Sequence, residues 1–133
     1  MNVALPNPRA SAWLLLAASV MALAGAFAAQ YGFDLEPCVL CIYQRWPHAV
    51  VIALAALALA APDGPARIGL LGLAGLALLL GAGVAGYHVG VEQHWWRGSQ
   101  ACTGNIGGAA SLEELQAQIM AAPITRCDEI AWS

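Results

Sequence analysis

Four cysteines are the residues of this sequence best suited to do chemistry, and they form two groups: Cys38 with Cys41, then Cys102 and Cys127. The thiolate form of cysteine is both a nucleophile and a metal ligand. Because one helical turn brings residues i and i+3 together, a C-x-x-C pair holds two sulfurs side by side. The spacing therefore predicts a dithiol redox centre at Cys38 and Cys41.

Zinc binding is the alternative for these residues, since Cys102 and Cys127 supply two further thiolates. Structural zinc sites usually draw on two closely spaced pairs, whereas 24 residues separate Cys102 from Cys127. Redox chemistry is therefore favoured, and no metal is expected. Covalent haem attachment through C-x-x-C-H is excluded because Ile42 follows Cys41.

Arg45 and His88 are two further candidates for the same site. Arg45 lies four residues after Cys41, so in a helix it lies on the same face, one turn further on. A guanidinium there favours the thiolate over the thiol, and an anchor at the membrane interface is the alternative role. His88 either faces a bound ligand or forms a buried hydrogen bond. The sequence identifies no partner for His48 or His94.

The composition places these residues in a membrane protein. Of 133 residues, 60% are hydrophobic and 10% charged, and the mean hydropathy is +0.67. In soluble domains, roughly 45–50% of residues are apolar and about 25% are charged. The net charge is −3, with five arginines and no lysine, so the basic patch needed for nucleic-acid binding is missing. High hydrophobicity also argues against disorder.

Three apolar segments, residues 10–33, 42–61 and 68–91, predict membrane-spanning helices, since about 20 apolar residues cross a bilayer. The second reaches this length only if residues 41–43 enter the helix. The first is longer than the apolar core of a cleaved signal peptide, about 7–15 residues, so an uncleaved span is favoured. The sequence thus predicts an all-α membrane protein with one domain, residues 1–133.

The short turn Pro62–Arg67 requires the second and third helices to be antiparallel neighbours. Gly86 and Gly90 form a G-x-x-x-G pattern, which predicts close packing against another membrane helix. All four cysteines then fall on one side, in or beside residues 34–41 and 92–133. The arginines leave the orientation open, since they lie on both sides. Confinement of the cysteines to one aqueous side predicts an oxidising compartment, in a bacterium the periplasm.

The last polar segment is expected to contain a short amphipathic helix. Ser111–Glu114 reads S-x-x-E, the form of a capping box, and apolar residues follow at helical spacing. We expect this helix to end at Pro123. With Trp95, Trp96 and Trp132 in the same segment, it is expected to lie on the membrane surface.

The segment FDLEPCVLCIYQRWP, residues 33–47, resembles the disulfide bond formation protein B (DsbB) family of the bacterial inner membrane. The shared elements are PCVLCIY, an arginine four residues after its second cysteine, and a distant cysteine pair beyond the third span. The stretches GYHVGVEQHWW, ACTG and RCDEIAWS resemble a divergent branch of that family. The resemblance covers the chain from about Ala10 onward. It implies a thiol:quinone oxidoreductase that reoxidises a periplasmic DsbA-like thioredoxin-fold oxidase and passes electrons to ubiquinone or menaquinone.

The resemblance also implies a role for each cysteine. Cys102 and Cys127 become the pair that exchanges with the partner oxidase, which attacks Cys102. Cys38 and Cys41 become the pair that quinone reoxidises, with Cys41 meeting the quinone. We therefore expect resting disulfides 38–41 and 102–127, and a transient cross-loop bond during turnover.

Arg45 matches the family's quinone-site arginine, and His88 is the second candidate quinone-binding residue. The family has four membrane helices, whereas this sequence predicts three and ends six residues after Cys127. We therefore expect a bundle without its last helix, from a truncated product or a three-span molecule. Two other classes stay open. One is a non-catalytic membrane protein with structural disulfides or a zinc site, and the other is a thiol-driven quinone or epoxide reductase.

Overall fold

A computed structural model describes residues 7–104, 108–121 and 125–129. Within these ranges the chain forms α-helices and no strand, in the order α1 (Pro8–Gly32), α2 (Val39–Ala60), α3 (Pro65–Glu92), α4 (Gln100–Thr103) and α5 (Leu112–Ala121). The first three are long and apolar enough to cross a membrane. The predicted fold class, an all-α membrane bundle, is therefore confirmed. Pro123 and Trp132 lie outside the described residues.

Local sequence signals explain where the long helices begin. The side chain of Asn7 accepts a hydrogen bond from the backbone N–H of Arg9, and Pro8 occupies the first helical turn of α1. Helix α2 begins at Val39, three residues before the predicted start of the span, because Cys38 caps it. Cys41 and its neighbours thus enter the helix, as a full-length span requires.

Arg67 fixes the turn between α2 and α3. Its side chain is 2% exposed, its Nε donates to the carbonyl of Ala58 at 2.8 Å, and its Nη2 donates to the carbonyl of Ala61. The guanidinium also pairs with Asp63. A cation here satisfies carbonyls that the last turn of α2 leaves unpaired and complements the helix dipole. The two helices are therefore held antiparallel, as predicted.

Helix α2 lies at the centre of the bundle and packs against both α1 and α3. It packs tightly on α3 at Pro47, where a Cβ on Gly81 would lie 3.0 Å from the proline Cβ. The expectation that Gly86 and Gly90 pack on another membrane helix is wrong. Among the described residues nothing lies within 4 Å of a Cβ on Gly86, and Gly90 packs against Trp96 of the following loop.

Small side chains fill the bundle interior, and large apolar side chains cover its outside. The buried residues of the three spans include several alanines that let the helix backbones approach closely: Ala12, Ala55, Ala58 and Ala74. Leu14 and Leu79, by contrast, are 67% and 71% exposed. An apolar exterior around a small-residue interior is the distribution that a lipid environment favours.

The polar segment after α3 folds back over the end of the bundle. Ser111 caps α5 by accepting from the backbone N–H of Glu114 at 3.2 Å. The Glu114 carboxylate accepts from the backbone N–H of Ala110 at 3.1 Å, one residue earlier than in an ideal capping box. Helix α5 packs on none of the other described helices, and Leu112 and Met120 are more than 80% exposed.

Candidate functional site

All four cysteines meet in one buried cluster where α2 begins and α3 ends. Cys38, Cys102 and Cys127 are each no more than 5% exposed. They pack together with Leu40 of α2 and Val91 of α3, and Cys41 lies against this group. All four are free thiols. The fold thus joins two cysteine groups that are far apart in the sequence.

The sulfur atoms follow one another along a path through this cluster. Sγ of Cys41 is 3.0 Å from Sγ of Cys38, and the Cys127 thiol lies close enough to Cys38 to lower its pKa. Cys127 lies next to Cys102: its backbone N–H donates to the Cys102 carbonyl at 3.0 Å, and both side chains are buried in the same cluster. The order Cys41, Cys38, Cys127, Cys102 is a continuous route for thiol–disulfide exchange.

Cys38 is the most acidic thiol in this path outside the membrane-spanning helices. A hydrogen bond from the Cys41 thiol lowers the pKa of Cys38 to about 5, against the opposing effect of burial. The backbone N–H of Cys41, the Cys127 thiol and the nearby His88 lower this pKa further. Position at a helix N-terminus is a recurrent cause of acidic cysteines. These contacts therefore favour the thiolate form of Cys38 when the pair is reduced.

Cys127 has the opposite character. Burial, followed by its hydrogen bond to Cys102, raises the pKa of Cys127 to about 12. While all four cysteines are reduced, burial and the neighbouring sulfurs thus keep the Cys127 thiol neutral. The surroundings thus favour charge on Cys38 and disfavour it on Cys127.

Arg45 lies in α2 but is directed toward α1. Its Nη1 donates to Oε1 of Gln30 at 2.7 Å, and the guanidinium carbon lies 4.9 Å from the ring centroid of Phe27, within cation–π range. Both Arg45 and Cys41 line one cavity, and the expectation that this charge stabilises a thiolate at Cys41 stays a prediction. Cys41 and His88 lower the pKa of Cys38 and so favour its thiolate form.

A cavity of about 300 Å³ separates α1 from the start of α2. Cys41 and Arg45 both line it, together with small apolar residues of α1. Nε of Arg45 is buried in this region and, among the residues that the structure describes, meets no hydrogen-bond acceptor. The complete lining is Ala22, Leu23, Ala26, Leu35, Glu36, Pro37, Cys41, Gln44, Arg45 and His48.

His88 reaches the dithiol from α3. Its Nε2 lies 3.5 Å from Sγ of Cys38, and its Nδ1 lies 3.0 Å from the side-chain amide of Gln44. His88 is not among the residues that line the cavity, so it acts on the sulfurs from the other side. Sequence reasoning missed Gln44, although its spacing of three residues from Cys41 placed it on the same helix face.

Sequence reasoning also missed the partners of two other side chains. His48 lies 3.5 Å from the hydroxyl of buried Ser19, across the α1–α2 interface. Gln30 accepts the hydrogen bond from Arg45. Neither pair has a sequence signal, because each joins positions on different helices whose relative rotation depends on the packing.

A second cavity, of about 670 Å³, lies beside Cys102 in the loop. Gln100 and Thr103, on either side of that cysteine, line it with aromatic and charged residues. Arg126 donates to both carboxylate oxygens of Asp128, at 2.9 and 2.7 Å, and so holds the pKa of Asp128 below its usual range. The other lining residues are Val91, His94, Trp95, Trp96, Arg97, Gly98, Gly104, Arg126 and Asp128.

A helical membrane bundle with a buried path of four cysteines at one end defines a class, the membrane proteins built for thiol–disulfide chemistry. Comparison with known families narrows the class. The family model described as "Disulfide bond formation protein DsbB" matches residues 8–133. The chain belongs to this family of disulfide bond formation membrane proteins, and the predicted resemblance is confirmed.

Individual relatives agree with this assignment. The chain is 44% identical over 91 residues to disulfide bond formation protein B of Neisseria gonorrhoeae, covering 68% of this chain and 54% of the relative. It is 36% identical over 88 residues to the protein of that name from Herminiimonas arsenicoxydans, covering 66% of this chain and 55% of the relative. The chain thus spans about half the length of these relatives. No solved structure matches it.

Proposed function

We propose that this protein is a thiol:quinone oxidoreductase of the bacterial inner membrane, with its cysteines on the periplasmic side. It takes electrons from a reduced DsbA-like thioredoxin-fold oxidase and passes them to a membrane quinone, ubiquinone or menaquinone. One observation carries this proposal. The sulfur path starts at Cys41, which lines a cavity within the bundle, and ends at Cys102 in the loop. It connects a lipid-side pocket to a water-side thiol.

Electrons enter at Cys102. A thiolate of the reduced partner attacks Sγ of Cys102 in the 102–127 disulfide, forming a mixed disulfide and releasing Cys127. The second partner thiol then displaces Cys102, so the partner leaves oxidised and the loop pair is reduced. Cys102 is 0% exposed, so α4 must shift for this attack. The large cavity beside Gln100 and Thr103 gives that shift room.

Electrons then pass from the loop pair to the membrane-proximal pair. Cys127 attacks Cys38 in the 38–41 disulfide, which forms a 38–127 bond and releases Cys41. Cys102 next attacks Cys127, which restores the 102–127 disulfide and leaves Cys38 and Cys41 reduced. Two electrons have then moved toward the membrane. Exchange is faster when the departing sulfur has a low pKa, and the pKa of Cys38 near 5 satisfies that condition for the second step.

The smaller cavity fits the head of a quinone. Its α1 wall is apolar, while Cys41 and Arg45 supply polar atoms on the α2 wall. Nε of Arg45, buried without an acceptor among the described residues, is a donor suited to a carbonyl oxygen. A bound quinone supplies an oxidant that accepts two electrons and two protons. Cys41 lies at the cavity wall, so the reduced pair borders that oxidant, while His88 keeps the charge on Cys38.

The proposal is tested by reoxidation of a reduced periplasmic dithiol oxidase in quinone-loaded membranes that contain this chain. We expect oxidation of the partner with quinone loss of equal stoichiometry, and no oxidation in Cys41→Ser membranes. A protein with purely structural disulfides or zinc shows no turnover in this assay. A thiol-driven quinone or epoxide reductase consumes small thiols without oxidising the protein partner, and either result contradicts the proposal.

A further inference from the structure

We propose that the reduced protein binds a thiophilic cation of the Zn²⁺ type through Cys38, Cys41 and His88, and that this binding halts its redox chemistry. The proposal concerns a state outside the catalytic sequence, in which a metal ion competes with the oxidant for the same two sulfurs. It rests on the geometry of three side chains.

The three donor atoms already converge. Both cysteine sulfurs and a ring nitrogen of His88 lie within 4.8 Å of one another. In a tetrahedral site with Zn–S of about 2.3 Å and Zn–N of about 2.0 Å, neighbouring sulfur and nitrogen ligands are about 3.5 Å apart. Sγ of Cys38 and Nε2 of His88 are separated by 3.5 Å. The two sulfurs, at 3.0 Å, need to separate by roughly 0.8 Å.

The surroundings hold these donors in place. Cys38 caps α2 and Cys41 lies in its first turn, where the backbone N–H of Cys41 donates to the Cys38 sulfur at 3.4 Å. Gln44 contacts Nδ1 of His88 at 3.0 Å. A side-chain amide can accept as well as donate, so in its other orientation it accepts Nδ1–H and leaves the Nε2 lone pair for a metal. A hydrogen bond to the ring nitrogen that does not bind the metal orients most metal-bound histidines.

Metal binding and disulfide formation exclude each other. Coordination requires both sulfurs as thiolates, so any remaining thiol proton is released while the oxidation state of the metal stays the same. A 38–41 disulfide has no thiolate to offer. Bound zinc therefore prevents the two sulfurs from forming a disulfide, and formation of the 38–41 disulfide releases zinc. Affinity for the metal is controlled by the redox state of the protein.

The test uses the full chain in detergent, reduced with a phosphine that is then removed. Zn²⁺ alone is titrated against a chromogenic chelator, and Co²⁺ serves as the spectroscopic probe. We expect one Zn²⁺ per reduced chain, thiolate-to-cobalt charge-transfer absorption, and no tight binding after oxidation. His88→Gln should weaken Zn²⁺ binding by at least about tenfold. X-ray absorption of the zinc form should show two sulfur ligands and at least one imidazole nitrogen.

His94→Gln is the matched control, because His94 is an exposed histidine of the loop, outside the three-residue set. Its zinc affinity should equal that of the unmodified chain. Equal affinity in reduced and oxidised protein overturns the proposal, and so does a His88→Gln variant that keeps both full affinity and the imidazole signal. The outcome is independent of the proposed function. Zinc binding without quinone-dependent turnover refutes only that function, and turnover without zinc binding refutes only this inference.

Discussion

The indole ring of Trp96 lies directly on Gly90, where α3 ends and the loop turns back. Its Nε1 donates to the carbonyl of Tyr87 at 3.1 Å, and the backbone N–H of Trp95 donates to the Gly90 carbonyl at 2.9 Å. A Cβ at this glycine would overlap the indole. The contact directs the loop so that Cys102 packs under Gly98 and beside Val91.

We therefore expect Gly90→Ala to loosen the loop. Overpacking of this kind costs about 1–3 kcal/mol, so opening that exposes Cys102 should become about tenfold more frequent. The measurement is the alkylation rate of Cys102 in the reduced protein, read by mass spectrometry. Gly86→Ala, one helical turn earlier and facing no described residue within 4 Å, is the matched control. Equal Cys102 rates in the two variants would show that Trp96 does not hold the loop.

Alkylation of Cys38 should depend on pH in the acidic range. With its pKa near 5, Cys38 is protonated and slow below that pH, and its rate should reach a plateau by neutral pH. Cys127, with a pKa near 12, should stay slow up to alkaline pH. The measurement is alkylation of the reduced protein from pH 4 to 9 with a metal chelator present.

Variants of Cys41 identify the cause of this acidity. Cys41→Ala removes the largest stabilising hydrogen bond, so the midpoint for Cys38 should move upward, toward the usual pKa of a thiol. Cys41→Ser keeps a hydroxyl donor and should move it less. A midpoint that is the same in all three proteins would mean that Cys41 is not the source of the shift.

Arg45→Gln should slow quinone-dependent reoxidation of the 38–41 pair and raise the apparent KM for quinone. A hydrogen bond from a charged donor contributes about 1.5–3 kcal/mol, which predicts a loss of about tenfold to a hundredfold. Arg45→Lys should retain more activity because it keeps the charge. Stopped-flow reoxidation across quinone concentrations gives both parameters, with Arg97→Gln in the exposed loop as the control. A normal rate in Arg45→Gln would assign Arg45 to anchoring alone.

Cys102→Ser and Cys127→Ser should each block oxidation of the partner while leaving the 38–41 disulfide able to form with quinone. The reason is the order of the sulfurs, in which Cys127 lies between Cys38 and Cys102. Peptide mapping of the trapped resting protein should find pairs 38–41 and 102–127. Recovery of cross-loop bonds alone would contradict both the pairing and the proposed sequence of exchanges.

A reporter fusion tests the orientation in the membrane. Alkaline phosphatase joined after Ser133 should be active, and the same enzyme inserted in the Pro62–Arg67 turn should be inactive. Both results follow if the cysteine cluster faces the periplasm, where disulfides persist. The reverse pattern would place the thiols in a reducing compartment and exclude the oxidase function.

The three spans and the dithiol were predictable because each has a local signal. Apolar length marks a membrane helix, and the C-x-x-C spacing marks the pair at Cys38. The contacts that complete the site were not predictable. The hydrogen bonds from Gln44 to His88 and from Arg45 to Gln30 depend on the rotation of one helix against another, which periodicity does not fix. The partner of Gly90 was not predictable either: its G-x-x-x-G spacing is typical of helix pairing, but it packs on Trp96 of the loop.

The buried cysteine cluster limits the lifetime of the proposed mixed disulfide. Cys102 and Cys127 are also the core residues through which the loop packs on Leu40 and Val91. A mixed disulfide with the partner draws Cys102 out of this core, so the covalent complex is the least well packed stage of the cycle. Return of the side chain to its apolar surroundings recovers that burial. Repacking of the loop thus favours resolution of the mixed disulfide, and release of the partner is coupled to folding of the loop.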